Sequence, residues 1–452
     1  MERTENKMGT MPVKKLIVSM SLPMMVSMLV QALYNIVDSI FVSQISEAAL
    51  TAVTLAFPMQ NLMIAVASGT GVGINALLSR SLGEKNEKQV NQSANTGLFL
   101  TFLSFLAFLL IGLLVSGPFI ASQTADTAIQ EYGTTYIRIC STLSVGVFFQ
   151  ITFERLLQST GRTLYSMYSQ VTGAVINMIF DPIMIFGLLG FPKLGVAGAA
   201  YATVLGQCIA SVLGLFLNKK FNSDITLSLK QILHPDGRTI KQIYFVGVPS
   251  ILMMSIGSIM TYLMNLILGA FSSTATAVFG VYFKLQSFFF MPVFGLNNGL
   301  IPVLAYNLGA RKPDRIHQAL RFSIKLAIAV MVVGTLCFEI IPGPLLKIFN
   351  ASDQMLAIGI PALRIIAVHF PIAAVSIVLG SVFQAFSKSI YSLIISVSRQ
   401  LIVLIPVAWL LSLTGNLNNV WWCFPISEVV SLTISFLFFR KVMREVTAEI
   451  SG

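Results

Sequence analysis

The sequence predicts an all-α membrane protein: twelve transmembrane helices in two pseudo-symmetric six-helix lobes built as a parallel repeat. Three observations carry that prediction. Apolar segments of membrane-crossing length recur along the 452 residues, the chain matches itself at one constant spacing, and its basic residues cluster in alternate breaks between the apolar segments.

The composition is 55% apolar and only 10% charged, with a mean hydropathy of +0.82. A soluble globule carries about 25% charged residues, so this chain belongs in a bilayer. A helix rising about 1.5 Å per residue needs about 20 apolar residues to cross about 30 Å of hydrocarbon. Segments of that kind start at Leu16, Leu50, Val90, Gly133, Thr163, Leu194, Gln242, Thr274, His317, Gly359, Ile390 and Asn419. The first is too long for a cleavable signal peptide and runs straight into a second.

A formal charge of +11 raises the question of nucleic acid, but the placement of the basic residues answers it. They occupy the N-terminus (Arg3, Lys7, Lys14, Lys15), the breaks after even-numbered spans (among them Arg80, Lys85, Lys88, Arg162, Lys219, Lys220, Arg311, Lys312 and Lys388) and the C-terminus (Arg440, Lys441, Arg444). The odd-numbered breaks hold little beyond Lys193 and Lys347. Under the positive-inside rule both termini face the cytoplasm, as an even number of spans requires, and no nucleic-acid partner is expected. Cys140, Cys208, Cys337 and Cys423 are isolated within spans, and His234, His317 and His369 have no ligand spacing, so no metal site is expected from them.

The repeat has an offset of 226, since Pro23 pairs with Pro249. At that offset Phe57 matches Phe283, Gln60 Gln286, Gly69 Gly295, Gly73 Gly299 and Leu82-Gly83 Leu308-Gly309. Further along, Gly117-Pro118 matches Gly343-Pro344, Arg138 Arg364, Gln158 Gln384 and Tyr165-Ser166 Tyr391-Ser392. Six spans return the chain to the side on which it began, so the copies share one orientation. The expected division is an N-lobe over 1–220, a cytoplasmic linker over 221–241 and a C-lobe over 242–452. Gly83 and Gly309 are expected to supply the positive φ of a tight helix exit.

The halves differ where chemistry could reside. Asp38 ends the apolar stretch PMMVSMLVQALYNIVD, with Gln31, Tyr34 and Asn35 before it at helical spacings. A carboxylate at bilayer depth costs about 2.5–3.5 kcal/mol on insertion scales, so it normally faces a partner or cavity. A second, Asp181, lies in NMIFDPIMIFG one turn after Asn177, and Pro182 removes a backbone donor beside it. At the repeat offset Asp38 meets Met264 and Asp181 meets Val407, so both carboxylates are peculiar to the first half. Two carboxyls close together in a poorly solvated lobe do not cheaply ionise together and should titrate as a unit. Glu154 and Arg155 read as interfacial charges, whereas Lys284, Arg399 and Glu428 read as a charge network in the second half. Gln31, Tyr34, Asn35, Gln60, Lys284, Gln286, Met291, Arg399 and Glu428 are candidates to line a substrate cleft, where flexible Met side chains suit varied ligands.

The stretches SLPMMVSMLVQALYNIVDSIFV, LLSRSLGEKN, NMIFDPIMIFG, GVAGAAYATVLGQ and PVLAYNLGARK together make the chain resemble the multidrug and toxic compound extrusion (MATE) family, in its DinF-like and MepA-like prokaryotic branch. The resemblance implies the MATE/MOP fold in a prokaryotic cell membrane, without enzymatic activity or cofactor. It also implies a monomer, surrounded by membrane lipid, that exports amphipathic, mostly cationic small molecules in exchange for H⁺ or Na⁺. By the same likeness the cation-coupling site is Asp38, Asn177, Asp181 and Thr203, with Na⁺, if used, at Asp38, Asn177 and Asp181. Spans seven and ten lack the acids that one branch of the family uses. The main alternative is a lipid or lipid-linked oligosaccharide flippase of the same superfamily, which would be expected to have a basic cavity. A membrane aspartyl protease would need a G-x-G-D motif that is absent, and no nucleotide-binding motif suggests ATP as the direct energy source.

Overall fold

A computed structural model describes residues 5–451; Arg3 lies outside them. The spans are α1 (Val13–Ser43), α2 (Glu47–Gly83), α3 (Glu87–Leu114), α4 (Thr127–Thr142 and Val145–Ser159), α5 (Thr163–Phe186) and α6 (Val196–Phe221) in the first half. In the second they are α7 (Gly237–Gly269), α8 (Ser273–Gly309), α9 (Pro313–Ile340), α10 (Asp353–Ala367 and Phe370–Ala385), α11 (Ser389–Ser412) and α12 (Cys423–Ser451). The expected starts at Leu16, Leu50 and Val90 fall just inside their helices because polar capping turns precede the apolar runs.

Spans four and ten are broken, by 48° and 49°, which apolarity alone does not reveal. In α10 the break precedes Pro371, whose ring lacks the N–H that the helix needs. In α4 it falls at Leu143 without a proline.

The repeat is visible in individual caps. Ser46 accepts from the Ala49 N–H at 3.0 Å, and Ser272, its counterpart, from the Ala275 N–H at 3.1 Å. Asp126 and Ser352, also counterparts, cap α4 and α10. Such caps stabilise a helix by about 1 kcal/mol. The exits after α2 and α8 correct the glycine expectation: Gly83 and Gly309 end their helices, and the left-handed residues are Lys85 (φ 58°) and Arg311 (φ 55°). Each helix runs on into its turn before the chain reverses, so the positive φ falls two residues beyond the glycine.

The chain forms two compact units. One is Val26–Ile251; the other joins the residues up to Met25 with those from Leu252 onward. Both boundaries sit at equivalent repeat positions, within α1 and α7, rather than in the 221–241 linker. The segment leading into each half's first helix is thus part of the other half's unit.

In the unit Val26–Ile251, one core joins Met59, Met63, Phe108, Phe148 and Ile185, and another joins Ile74, Leu78, Val90, Phe153 and Ile243. The linker is built into the second core through Ile225. Arg162 pairs with Asp224 at 2.6 Å and donates to the Phe221 carbonyl at 2.7 Å. Asn95 donates to the Thr226 carbonyl and Gln231 and accepts from the Ser228 N–H. Here α2 approaches α7 at Gly69-x-x-x-Gly73, where a Cβ on Gly73 would strike the Ile243 carbonyl.

The other unit repeats the arrangement. A Cβ on Gly295 or Gly299 would lie 2.6 Å from the Met25 Cα or 2.7 Å from the Ser21 Cα, so α8 packs on the start of α1 through the same small-residue spacing. Arg315 donates to the Met8 and Met11 carbonyls at 3.0 and 2.8 Å, and Lys312 pairs with Glu5 at 2.7 Å. The core is aromatic: Phe279, Tyr282, Phe338, Phe370 and Phe424 contact one another, Phe279 stacked on Tyr282 and the other pairs edge to face or tilted. Within α11, Ser398–Leu404 is a π-helix that ends two residues before Pro406. The missing proline N–H accounts for the wider turn.

Candidate functional site

Asp38 and Asp181 come together inside the unit Val26–Ile251, on α1 and α5. Asp38 is 9% exposed and Asp181 fully buried, with the two carboxyl groups in hydrogen-bonding reach of each other. Two ionised carboxylates accept only, so this contact becomes a hydrogen bond when one of them carries a proton. Asp38 Oδ1, both oxygens of Asp181 and Asn177 Oδ1 are buried without a hydrogen-bonding partner.

Asn177 is placed by the crossing of α5 and α6. A Cβ on Gly206 would lie 3.3 Å from the Asn177 Cβ and close upon the Gly173 carbonyl, so only glycine allows the two backbones this near. That approach lets the Asn177 amide donate to the Thr203 hydroxyl at 3.1 Å, while the hydroxyl donates to the Ala199 carbonyl at 3.0 Å. Beside Asp181, Pro182 withholds the N–H that would otherwise reach the Met178 carbonyl one turn back.

Further polar side chains on α1, α2, α4 and α5 surround the cluster. Tyr34 lies within hydrogen-bonding reach of Thr203 and in the electrostatic field of both aspartates. Gln60 donates to the Tyr136 hydroxyl at 3.2 Å and contacts the Cys140 sulfur at 3.7 Å. Gln31 accepts from Gln170 at 3.2 Å. Asn35 is exposed, outside this buried cluster. Sequence reasoning missed Tyr136, Cys140 and Gln170. The signal for the first two was available: Tyr136 meets Ala362 and Cys140 meets Ile366 at the repeat offset, so like the aspartates they are polar only in the first half.

Of the remaining candidates, Arg399 and Glu428 form an ion pair at 3.6 Å. Lys284 is not part of it, which corrects the three-member network. It is exposed, with its ammonium 5.9 Å from the Phe349 ring centre, because α8 turns that position away from Tyr282 and Leu285 in the core. Gln286 accepts from the Tyr282 hydroxyl at 2.7 Å, and Met291 is half-buried. Glu154, read as interfacial, is 6% exposed and accepts from Gln150 at 3.0 Å, on the half of α4 that packs against α6.

Chemically, the aspartate cluster offers oxygen acceptors, two of its groups carboxyls, and, among the described residues, no basic side chain hydrogen-bonded to them. Such a set holds a proton between carboxyls or a small hard cation such as Na⁺.

The family model MatE matches residues 23–183 and 249–410, the two copies of the repeat. The chain is 25% identical over 445 residues to the FAD transporter of Shewanella oneidensis, covering 97% of this chain and 96% of that one. It is 24% identical over 439 residues to the multidrug export protein MepA of Staphylococcus haemolyticus, covering 96% and 95%. Among solved structures it is similar to the outward-facing conformation of a multidrug resistance MATE family transporter of the MOP superfamily, at a TM-score of 0.93, 25% identity and 99% coverage of both chains.

Proposed function

The chain belongs to the MatE family, whose members are membrane transporters and not enzymes, and on that premise we propose that it is a multidrug exporter driven by cation entry at Asp38 and Asp181. The observation that carries the mechanism is the cluster of buried oxygens on Asp38, Asn177 and Asp181 without protein partners. In a low-dielectric interior, unpaired anionic oxygens favour any conformation that admits a cation.

When the cluster is empty of cation, its negative charge repels itself and attracts a cationic drug through the surrounding field. When a proton or Na⁺ enters, the charge falls and that attraction is lost. Occupancy of the cluster thereby biases one state of the transporter over another, as coupled exchange requires. Thr203 holds Asn177 by its amide, so the Asn177 carbonyl stays available to the ion. The positive-inside distribution of Lys and Arg supports a topology with both termini in the cytoplasm.

The relative named an FAD transporter favours a second reading, in which the cargo is a large anionic nucleotide. Purified protein in vesicles separates the two: a fluorescent cationic dye and FAD are offered in turn under an imposed ΔpH or ΔpNa. The proposal expects gradient-driven movement of the dye. Movement of FAD alone overturns the cationic cargo, and movement of neither under any gradient overturns ion-coupled export.

A further inference from the structure

The unit containing the second half holds a buried acid that the aspartate mechanism does not use. Glu428 on α12 is 3% exposed. Its Oε1 has no hydrogen-bonding partner, and its Oε2 lies 3.6 Å from the Arg399 Nη1, a separation of charges rather than a hydrogen bond. A buried ion pair overcomes its desolvation only with close geometry and further hydrogen bonds, and this pair has neither.

Glu428 is not isolated along its helix. Ser431 and Ser435 follow at the i+3 and i+7 positions of the same face, both fully buried, each with a hydroxyl lacking a hydrogen-bonding partner. At the entry to α12 the Trp421 indole N–H is buried and unpartnered as well. Buried polar groups are ordinarily paired, and a file of such groups on one face of one helix departs from that rule repeatedly. Hydroxyls both donate and accept, so the file is chemically suited to passing a proton.

Arg399 stands on the π-helix of α11, and π-helical turns are frequent at functional sites. Its side chain is 26% exposed while that of Glu428 is 4% exposed, so the arginine is the more accessible member of the pair. The other ionisable groups that feel Glu428 are His369, at the break of α10, and Tyr282 on α8, with Cys423 on α12 close to Tyr282. His369 stacks on Phe424, one turn before Glu428, and its Nδ1 is engaged with the Ile366 carbonyl. Farther along, Lys388 pairs with Glu445, and Lys441 lies over Tyr391.

We propose that Glu428 is a proton-binding site of the second half, with Arg399 as its exchangeable counter-ion and the α12 hydroxyl file as its route. Protonation of Glu428 frees Arg399 and loosens α11 from α12 at the π-helix. The site is separate in sequence from the aspartate pair and does not depend on the function proposed for that pair.

Trp421 serves as the reporter. Trp409 and Trp422 are 55% and 44% exposed, and replacing both with Phe leaves Trp421 as the sole tryptophan. The emission of this protein in lipid nanodiscs is followed against pH. The expected result is one transition that persists in the Asp38→Asn, Asp181→Asn and His369→Gln backgrounds, disappears in Glu428→Gln and moves in Arg399→Gln. Infrared difference spectra of the wild-type protein across the same pH range should show a protonated-carboxyl band that Glu428→Asp displaces, a measurement that survives poor folding of the Gln variant. A transition unchanged in Glu428→Gln, or one lost in His369→Gln, overturns the proposal, as does a carboxyl band unaffected by Glu428→Asp.

Discussion

Asn177 donates its side-chain amide to the Thr203 hydroxyl 3.1 Å away, and its carbonyl oxygen is left buried without a donor beside two carboxyl groups. The amide orientation is therefore fixed from the α6 side, and the oxygen that remains is an acceptor reserved for something the protein does not itself supply. Thr203→Val, which keeps the shape and removes the hydroxyl, should free the amide to turn. A neutral hydrogen bond contributes about 1 kcal/mol, so the apparent affinity for the coupling cation should weaken roughly fivefold. Cation titration of transport in vesicles reads this, and an unchanged half-saturation would show that Thr203 does not orient the site.

The two small-residue crossings should be intolerant of side chains. Gly73→Leu and Gly299→Leu each place atoms into a facing helix backbone, at Ile243 and Ser21 respectively. Overpacking of that kind costs about 1–3 kcal/mol or more. Thermal denaturation in detergent should show a lowered midpoint for both, whereas Gly280→Ala, which meets open space, should leave it in place. Equal midpoints for all three would mean that the crossings relax.

Asn95 organises the linker. It is 1% exposed and bonds to Thr226, Ser228 and Gln231 at once. Asn95→Leu should release that segment, and limited trypsin digestion should cut at Lys230 well before it does in the wild-type protein. Cleavage at an unchanged rate would show that the Ile225 packing alone holds the linker.

Asp236 precedes α7 and accepts from the Thr239 hydroxyl at 2.7 Å and its N–H at 2.9 Å. These bonds hold its carboxyl below the usual carboxylate range. A depressed folded value means that the cap stabilises the helix start above the ordinary carboxylate range and that this contribution is lost as pH falls through the folded value. Amide hydrogen exchange at Thr239 should be slow at neutral pH and quicken in acid beyond the intrinsic trend, and Asp236→Asn should flatten the effect. The same acceleration in Asp236→Asn would contradict it.

Much of this was legible in the sequence because hydrocarbon imposes its own length and polarity. The span starts, the offset of 226 and the singular carboxylates Asp38 and Asp181 are all one-dimensional signals. The breaks in α4 and α10 were not legible, since each half-helix is apolar enough to continue its neighbour's pattern. The positive φ at Lys85 and Arg311 was misplaced onto glycines because propensity names a residue type, while the hydrogen-bonded turn decides which position reverses. Lys284 was grouped with Arg399 and Glu428 by depth along the chain, and rotation about the α8 axis separates it from them. The packing of the linker, and the Gly206 approach that sets Asn177 against Thr203, depend on contacts between distant segments that no local pattern encodes.

The central claim is that Asp38 and Asp181 are one coupling site, and the most direct measurement is dye export by Asp38→Asn and Asp181→Asn proteins in vesicles with ΔpH and ΔpNa imposed separately. The account predicts that each variant folds, binds dye and loses the response to the gradient that drives the wild-type protein, and that the double variant is no worse than either single one. Export at wild-type rates with an unchanged dependence on both gradients would contradict it.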